Sequence, residues 1–154
     1  MPVLNIASKS DDLRARCLSN FSAYGFVIDG VKVSSVEGFL QGIKFRVGDH
    51  NREKAFRSFG AEAKQFGERA VRKFVWWKRR AISYGSDEHH QLLARAIRAK
   101  FEQNEVAMSA LVATDGMILT HDLGHPELPH TSLPAALLCE ILMRLRREAI
   151  RARR

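Results

Sequence analysis

A carboxylate and an amine seven residues apart, Glu37 and Lys44, form the first pair in this sequence whose types can do chemistry together. On a helix that spacing is two turns, so both side chains can project into one cleft. A carboxylate beside a sugar's anomeric carbon stabilises positive charge as a bond there breaks, or activates water. A lysine shielded from water gives up its proton more readily and can attack such a carbon once the ring opens, forming a Schiff base. Both residues also have plainer uses. Ser34-Ser35-Val36-Glu37 reads as a capping box in which Ser34 accepts from a backbone amide and Glu37 reaches back to the cap, and Lys44 can simply be solvated.

Two further clusters point to other chemistry. Trp76 and Trp77 stand among Arg72, Lys73, Lys78, Arg79 and Arg80, interleaving stacking faces with positive charge as nucleic-acid binders do. A solvated basic helix face, with one tryptophan in the core, explains the same residues. His121, His125 and His130 with Asp122 and Glu127 bring together imidazoles and carboxylates that could hold a catalytic zinc or iron. Their spacing matches no compact ligand motif, and histidines in a Pro-rich loop are more often hydrogen-bonded or exposed.

The elements that must position these groups belong to a chain of 154 residues, long enough for one core and short for two domains. Hydrophobic residues at 45% and charged residues at 27% exclude a disordered chain. No apolar run approaches the ~20 residues that span a bilayer, and Met1 to Asp12 lacks a signal-peptide core, so no membrane association and a cytoplasmic location are expected. Cys17 and Cys139 are expected as reduced, buried thiols rather than a disulfide or a zinc site. The net charge is +8, and six arginines fall between Arg144 and Arg154. Such a cluster suits the last turns of a helix, or makes a basic surface for phosphates.

Phe26-Val27-Ile28 and Val31-Lys32-Val33 flank Asp29-Gly30, which predicts a β-hairpin closed by a type I′ turn. A helix follows to about Arg46, with Val36, Phe39, Leu40, Ile43 and Val47 on its apolar face and Glu37, Gln41 and Lys44 in a second row. From Asn51 to Lys73, Phe56, Phe59, Ala63, Phe66 and Val71 are broken up by Gly60 and Gly67, which predicts two or three short helices. Ser86-Asp87-Glu88 opens a helix to Asn104 with Leu92, Leu93, Ala96, Ile97 and Phe101 buried. A short helix near Val106 to Val112, a short strand at Met117-Ile118-Leu119, the irregular loop 121–130 and a last helix from Ser132 and Pro134 complete the reading.

The run Leu18-Ser19-Asn20-Phe21, then Phe26, Asp29-Gly30, Ser35-Val36-Glu37, Gln41 and Lys44-Phe45 resembles the N-terminal signature of the NADAR (YbiA-like) family of N-glycosidases. Ala63-Lys64 with Gly67, Trp77 with Arg80, Lys100-Phe101 with Gln103-Asn104, and Leu142-Met143 with Arg146 are similar to its later landmarks, so the likeness spans about 17–147. Gly38 stands where that family usually has a bulky residue, and His121-Asp122-Leu123-Gly124 stands where it has Asp-x-x-Trp-Gly.

The resemblance implies a mainly α-helical α+β fold, a single compact domain with a small β-hairpin; residues 1–12, outside its span, are expected to be loose. It implies hydrolysis of an N-glycosidic bond in an ADP-ribosyl or ribosyl-nucleotide substrate: ADP-ribosylated guanine in nucleic acid, or a free compound related to riboflavin precursors. Under it Glu37, Lys44 and Asp122 are the catalytic candidates. Ser19, Asn20, Phe21, Gln41, Trp77 and Arg80 are the substrate-binding ones, with Asn20 and Gln41 orienting hydroxyls or phosphate and Phe21 or Trp77 stacking on a base. No metal and no cofactor is required. The rival expectations are a basic nucleic-acid-binding module without catalysis and a metal-dependent hydrolase built on the histidine loop.

Overall fold

The chain begins with a short strand, β1 (Val3–Asn5), and a helix, α1 (Leu13–Leu18). The hairpin of β2 (Phe26–Ile28) and β3 (Val31–Val33) leads into the helices α2 (Val36–Gly42), α3 (His50–Phe56) and α4 (Gly60–Gly67). A second hairpin, β4 (Phe74–Trp77) and β5 (Arg80–Ser83), precedes the long helix α5 (Asp87–Gln103). The helix α6 (Glu105–Val112), strand β6 (Ile118–Thr120) and helix α7 (Ala135–Ala152) complete this computed structural model. It describes residues 1–67 and 73–154, so Val71 and Arg72 of the sequence reading lie outside the described residues.

The result is the expected mainly helical α+β domain. Asp29 and Gly30 take φ angles of 47° and 81°, the pair of positive values a type I′ turn needs, and set Phe26 opposite Val33. That register turns Phe26, Ile28 and Val33 into one core with Phe39, Phe56 and Trp77. Phe39 is its centre: its ring lies 5.1 Å from Trp77, 6.1 Å from Phe56 and 6.3 Å from Phe26. The same core continues into the stripe Leu92, Leu93, Ala96, Ile97 and Phe101 of α5 and into Leu138, Leu142 and Leu145 of α7.

Four expectations need correction. The cap of α2 is Ser35, not Ser34: its Oγ accepts from Gly38 N at 2.9 Å and donates to Ser58 O at 2.8 Å. Ser34 instead gives its backbone N–H to Phe56 O, which ties the hairpin to α3. Helix α2 also stops at Gly42 rather than near Arg46, because Lys44 N and Phe45 N close tight turns onto Gln41 O and Gly42 O.

The cluster around Trp76 is a β-hairpin and not a helix face. Lys78 and Arg79 turn it with φ angles of 47° and 63°, a conformation that disfavours side chains with a Cβ and is bought here by the pairing of Trp77 with Arg80. Finally, the N-terminus is not loose. Strand β1 pairs in parallel with β6, Ile6 N donates to Thr120 O at 2.8 Å, and the Ile6 side chain is fully buried.

Cys139 is a buried thiol and Cys17 a half-buried one, both free. Arg146 is drawn inward to Thr114 O at 2.8 Å, while Arg147, Arg151, Arg153 and Arg154 are exposed at the end of α7. No helix among the described residues is long and apolar enough to cross a membrane.

Candidate active site

Moving the cap of α2 to Ser35 changes what Glu37 can do. A capping box would spend its carboxylate on a backbone N–H three residues earlier. Here the Glu37 backbone N–H goes to Asn20 O at 3.0 Å, and the carboxylate takes the Gln41 amide, Nε2 to Oε1, at 2.9 Å. The side chain is buried on α2. Burial pushes its carboxyl above the ordinary range, opposed by the Gln41 hydrogen bond and by the positive charges of Lys44 and Lys64. A carboxyl with its pKa raised keeps its proton to higher pH than an exposed one, a shift in the direction that general acid–base work asks for.

Lys44, also buried, is fixed from both sides. Ile43 O before it accepts from Trp76 N at 2.7 Å, and Phe45 O after it accepts from Arg52 Nη1 at 2.8 Å, with the same Nη1 reaching Trp76 O at 2.9 Å. Gly67 of α4 faces this pair so closely that an added Cβ would strike the Gln41 amide and lie 2.9 Å from Lys44 Nζ. Only glycine leaves that space.

On the other side the Tyr84 ring lies 5.9 Å from Lys44 Nζ and 5.1 Å from the His89 ring. Tyr84 Oη donates to His130 O at 2.6 Å, so its 2.8 Å contact with Ser132 is received from the Ser132 hydroxyl. This fastens the far end of the 121–130 loop beside Lys44. The near end approaches as well: Lys64 acts electrostatically on both Glu37 and His121.

The structure thus brings together Glu37, Gln41 and Lys44 with the Ser19–Phe21 segment, and it places the other candidates elsewhere. Trp77 is in the aromatic core, its Nε1 donating to Asp29 Oδ2 at 2.9 Å. Arg80 is exposed and paired with Glu88 at 2.7 Å. Asp122 is exposed and its Oδ1 accepts from Gly124 N at 2.8 Å, closing a turn. Among the described residues no group of three or more His, Cys, Asp or Glu side chains is placed to hold a metal ion, and Glu127 instead accepts from Ala135 N at the start of α7.

The Ser19–Phe21 segment is set by a buried lysine. Lys100 Nζ donates to Ser19 O at 3.0 Å and lies 4.8 Å from the Phe101 ring, with 1% of the residue exposed. Burial lowers its pKa from 10.5 to about 7, against the influence of Cys17. Above pH 7 the unfolded chain holds a proton that the folded chain has released, so stability rises with pH from about 7 until the unfolded lysine titrates, and this contribution is flat below. Urea midpoints are expected to rise from about pH 7 to about pH 8.5 in the wild type and to rise less in Lys100→Met.

The profile of the family described as Bacteriophage protein GP30.3 matches residues 13–147. The chain belongs to that family. The family is of NADAR type. One relative, described as an uncharacterized 17.1 kDa protein in the Gp30-rIII intergenic region of Enterobacteria phage T4, is 32% identical over 110 residues, which is 69% of this chain and 72% of that protein. Among solved structures, the NMR structure of the E. coli protein YbiA superposes with a TM-score of 0.70 at 25% identity, over 99% of this chain and 87% of YbiA. The GP30.3-family chain therefore has a NADAR/YbiA-like fold, as its motifs imply.

Two residues of the GP30.3-family site escape a motif search, Tyr84 and His89. His89 carried a usable signal: with Leu92, Leu93 and Ala96 it keeps the i, i+3, i+4, i+7 phase of the buried stripe, and a polar residue in that phase has to be explained by a partner. Lys100 falls on the same stripe.

Proposed function

We propose that this protein is an N-glycosidase that hydrolyses the N-glycosidic bond of an ADP-ribosyl or ribosyl-nucleotide substrate. The observation that carries the reading is the placing of a buried carboxyl, Glu37, and a buried amine, Lys44, on one short stretch of chain beside Gly67, whose missing side chain lets the Gln41 amide and the Lys44 ammonium sit against it. Membership of a NADAR-type family suggests glycosidase chemistry of this kind.

In this mechanism the bond between C1′ and the base nitrogen breaks as positive charge develops on the sugar, and Glu37 stabilises that charge. The neutral Lys44 amine attacks C1′ as the nitrogenous base departs, and the proton that the amine sheds passes by way of Glu37 to the leaving base. Ring opening then gives a Schiff base, and water hydrolyses it to return the amine and release the sugar. Gln41, held to Glu37, and Asn20, whose carbonyl is engaged by Glu37 N, orient the ribose. The reaction consumes only water. No step is assigned to Asp122.

A polymeric carrier for the base is favoured by the outer face of β4. Val75 and Trp77 point inward, so Phe74 and Trp76 face out, with Arg46 over Trp76 at 4.7 Å and the exposed cations Lys73, Lys78 and Arg79 beside them. The test is to incubate the protein with ADP-ribosylated guanine in DNA and with free N-ribosides, following release of base and sugar, and to add borohydride to trap the imine. Release from the DNA substrate with trapping on Lys44 is the expected result. Binding that weakens steeply with salt, survives Glu37→Gln and is accompanied by no release would replace this reading with a non-catalytic nucleic-acid module.

A further inference from the structure

Two buried side-chain polar atoms among the described residues make no hydrogen bond, His89 Nε2 and Gln41 Oε1. They differ in sense. Gly85 N donates to His89 Nδ1 at 3.0 Å, so in the neutral ring the proton sits on Nε2 and points outward from that bond as a donor. Gln41 spends its amide nitrogen on Glu37, which leaves Oε1 as an acceptor. A buried donor and a buried acceptor each forgo water for nothing unless something else meets them.

Gln41 lies against Lys44, and His89 shares the Tyr84 ring with it as a neighbour. The amide of Gln41 and Lys44 Nζ crowd the same point above Gly67, and the His89 ring and Lys44 Nζ flank the same Tyr84 ring. The positive charge of Lys44 also acts on His89. A ligand that reaches Lys44 therefore has one fixed donor and one fixed acceptor within its surroundings. Hydroxyl groups both give and accept hydrogen bonds, and a sugar ring carries several.

We propose that His89 is a substrate-positioning residue, whose Nε2–H donates to a ribose hydroxyl oxygen while Gln41 Oε1 accepts from a hydroxyl of the same sugar. The assignment rests on the N-glycosidase reading and names the part of the substrate that the site recognises. A neutral donor suits a hydroxyl better than a phosphate, and burial keeps the ring neutral by lowering its pKa to about 4.

The experiment uses the full chain with ¹⁵N-labelled histidine, titrated with ADP-ribose, ribose 5-phosphate and 2-deoxyribose 5-phosphate. The free protein is expected to show His89 as the Nε2–H tautomer, and ADP-ribose is expected to shift that ring. His89→Asn keeps an acceptor for Gly85 N and loses the Nε2 donor, so it is expected to fold normally and to bind ADP-ribose about tenfold more weakly. His89→Gln, which can place an amide N–H near the Nε2 position, is expected to recover part of that loss. A purely structural histidine would give the opposite order, with His89→Asn binding like wild type. That result, or a His89 signal unmoved by millimolar concentrations of all three ligands, overturns the proposal. A wild type that binds ADP-ribose through His89 and cleaves nothing supports the sugar site and removes the glycosidase reading.

Discussion

Glu37→Gln is expected to lower turnover by about 10²–10⁴-fold while leaving the fold intact, the range in which a positioned acid or base contributes. The substitution is nearly isosteric, and its oxygen can still accept from Gln41 Nε2, so the change falls on charge and proton transfer rather than on packing. Lys44→Ala is expected to abolish both turnover and borohydride trapping, because it removes the amine that attacks C1′. The two variants separate the roles. If Lys44 only neutralises substrate charge, Lys44→Ala will mainly raise KM and no adduct will form in the wild type. Turnover of Glu37→Gln within a factor of about three of wild type would remove the carboxyl from the mechanism.

The second large effect is on stability. Gly38→Ala places a Cβ 2.5 Å from Ala55 O and 2.6 Å from Ser58 O, both backbone atoms, and 3.1 Å from the capping Ser35 Oγ. Alanine is the better helix former by about 1 kcal/mol, but overpacking against atoms that cannot move costs about 1–3 kcal/mol and occasionally more. A further loss comes from the Ser35–Ser58 hydrogen bond, which spans the same gap. The balance is a destabilisation of about 3 kcal/mol, equivalent to about 6–12 °C in Tm for a chain of this size. Thermal melts check it directly. A variant melting within a degree of wild type would mean that α2 and α3 separate at little cost.

Gly38 also shows why part of this site was legible in sequence and part was not. The departure at position 38 from the bulky residue of the wider family is visible in the sequence. Its cause is an approach of α2 to the backbone of α3, which no local pattern records. The Asp29-Gly30 hairpin and the Ser86 cap were legible because the signal and the structure involve the same few residues. The α2 cap was misplaced by one residue since Ser34 and Ser35 are chemically equal candidates, and the choice is made by Ser58 and Phe56, more than twenty residues away.

The second hairpin was hidden for a different reason. Lys78 and Arg79 carry none of the Gly, Asn or Asp chemistry that marks a type I′ turn, so the turn exists through pairing and not through propensity. Within the site, Glu37, Gln41 and Lys44 could be grouped because they share one short helix. Trp77 and Arg80 were attached to it by sequence likeness, and the alternation along β4 sends Trp77 into the core instead. Tyr84 and His89 enter from β5 and α5, joined to Lys44 only by the tertiary packing.

Strand β1 has a practical bearing on any assay. Asn5 grips the backbone of Asp122 at both ends of its amide, Nδ2 to Asp122 O at 2.8 Å and Asp122 N to Oδ1 at 2.9 Å, directly after the parallel pairing of Val3–Asn5 with Ile118–Thr120. The first five residues therefore moor the loop whose other end is fastened by Tyr84. Affinity tags are better joined after Arg154, since a fusion or trimming ahead of Val3 would slacken that mooring and could be mistaken for a defect in catalysis.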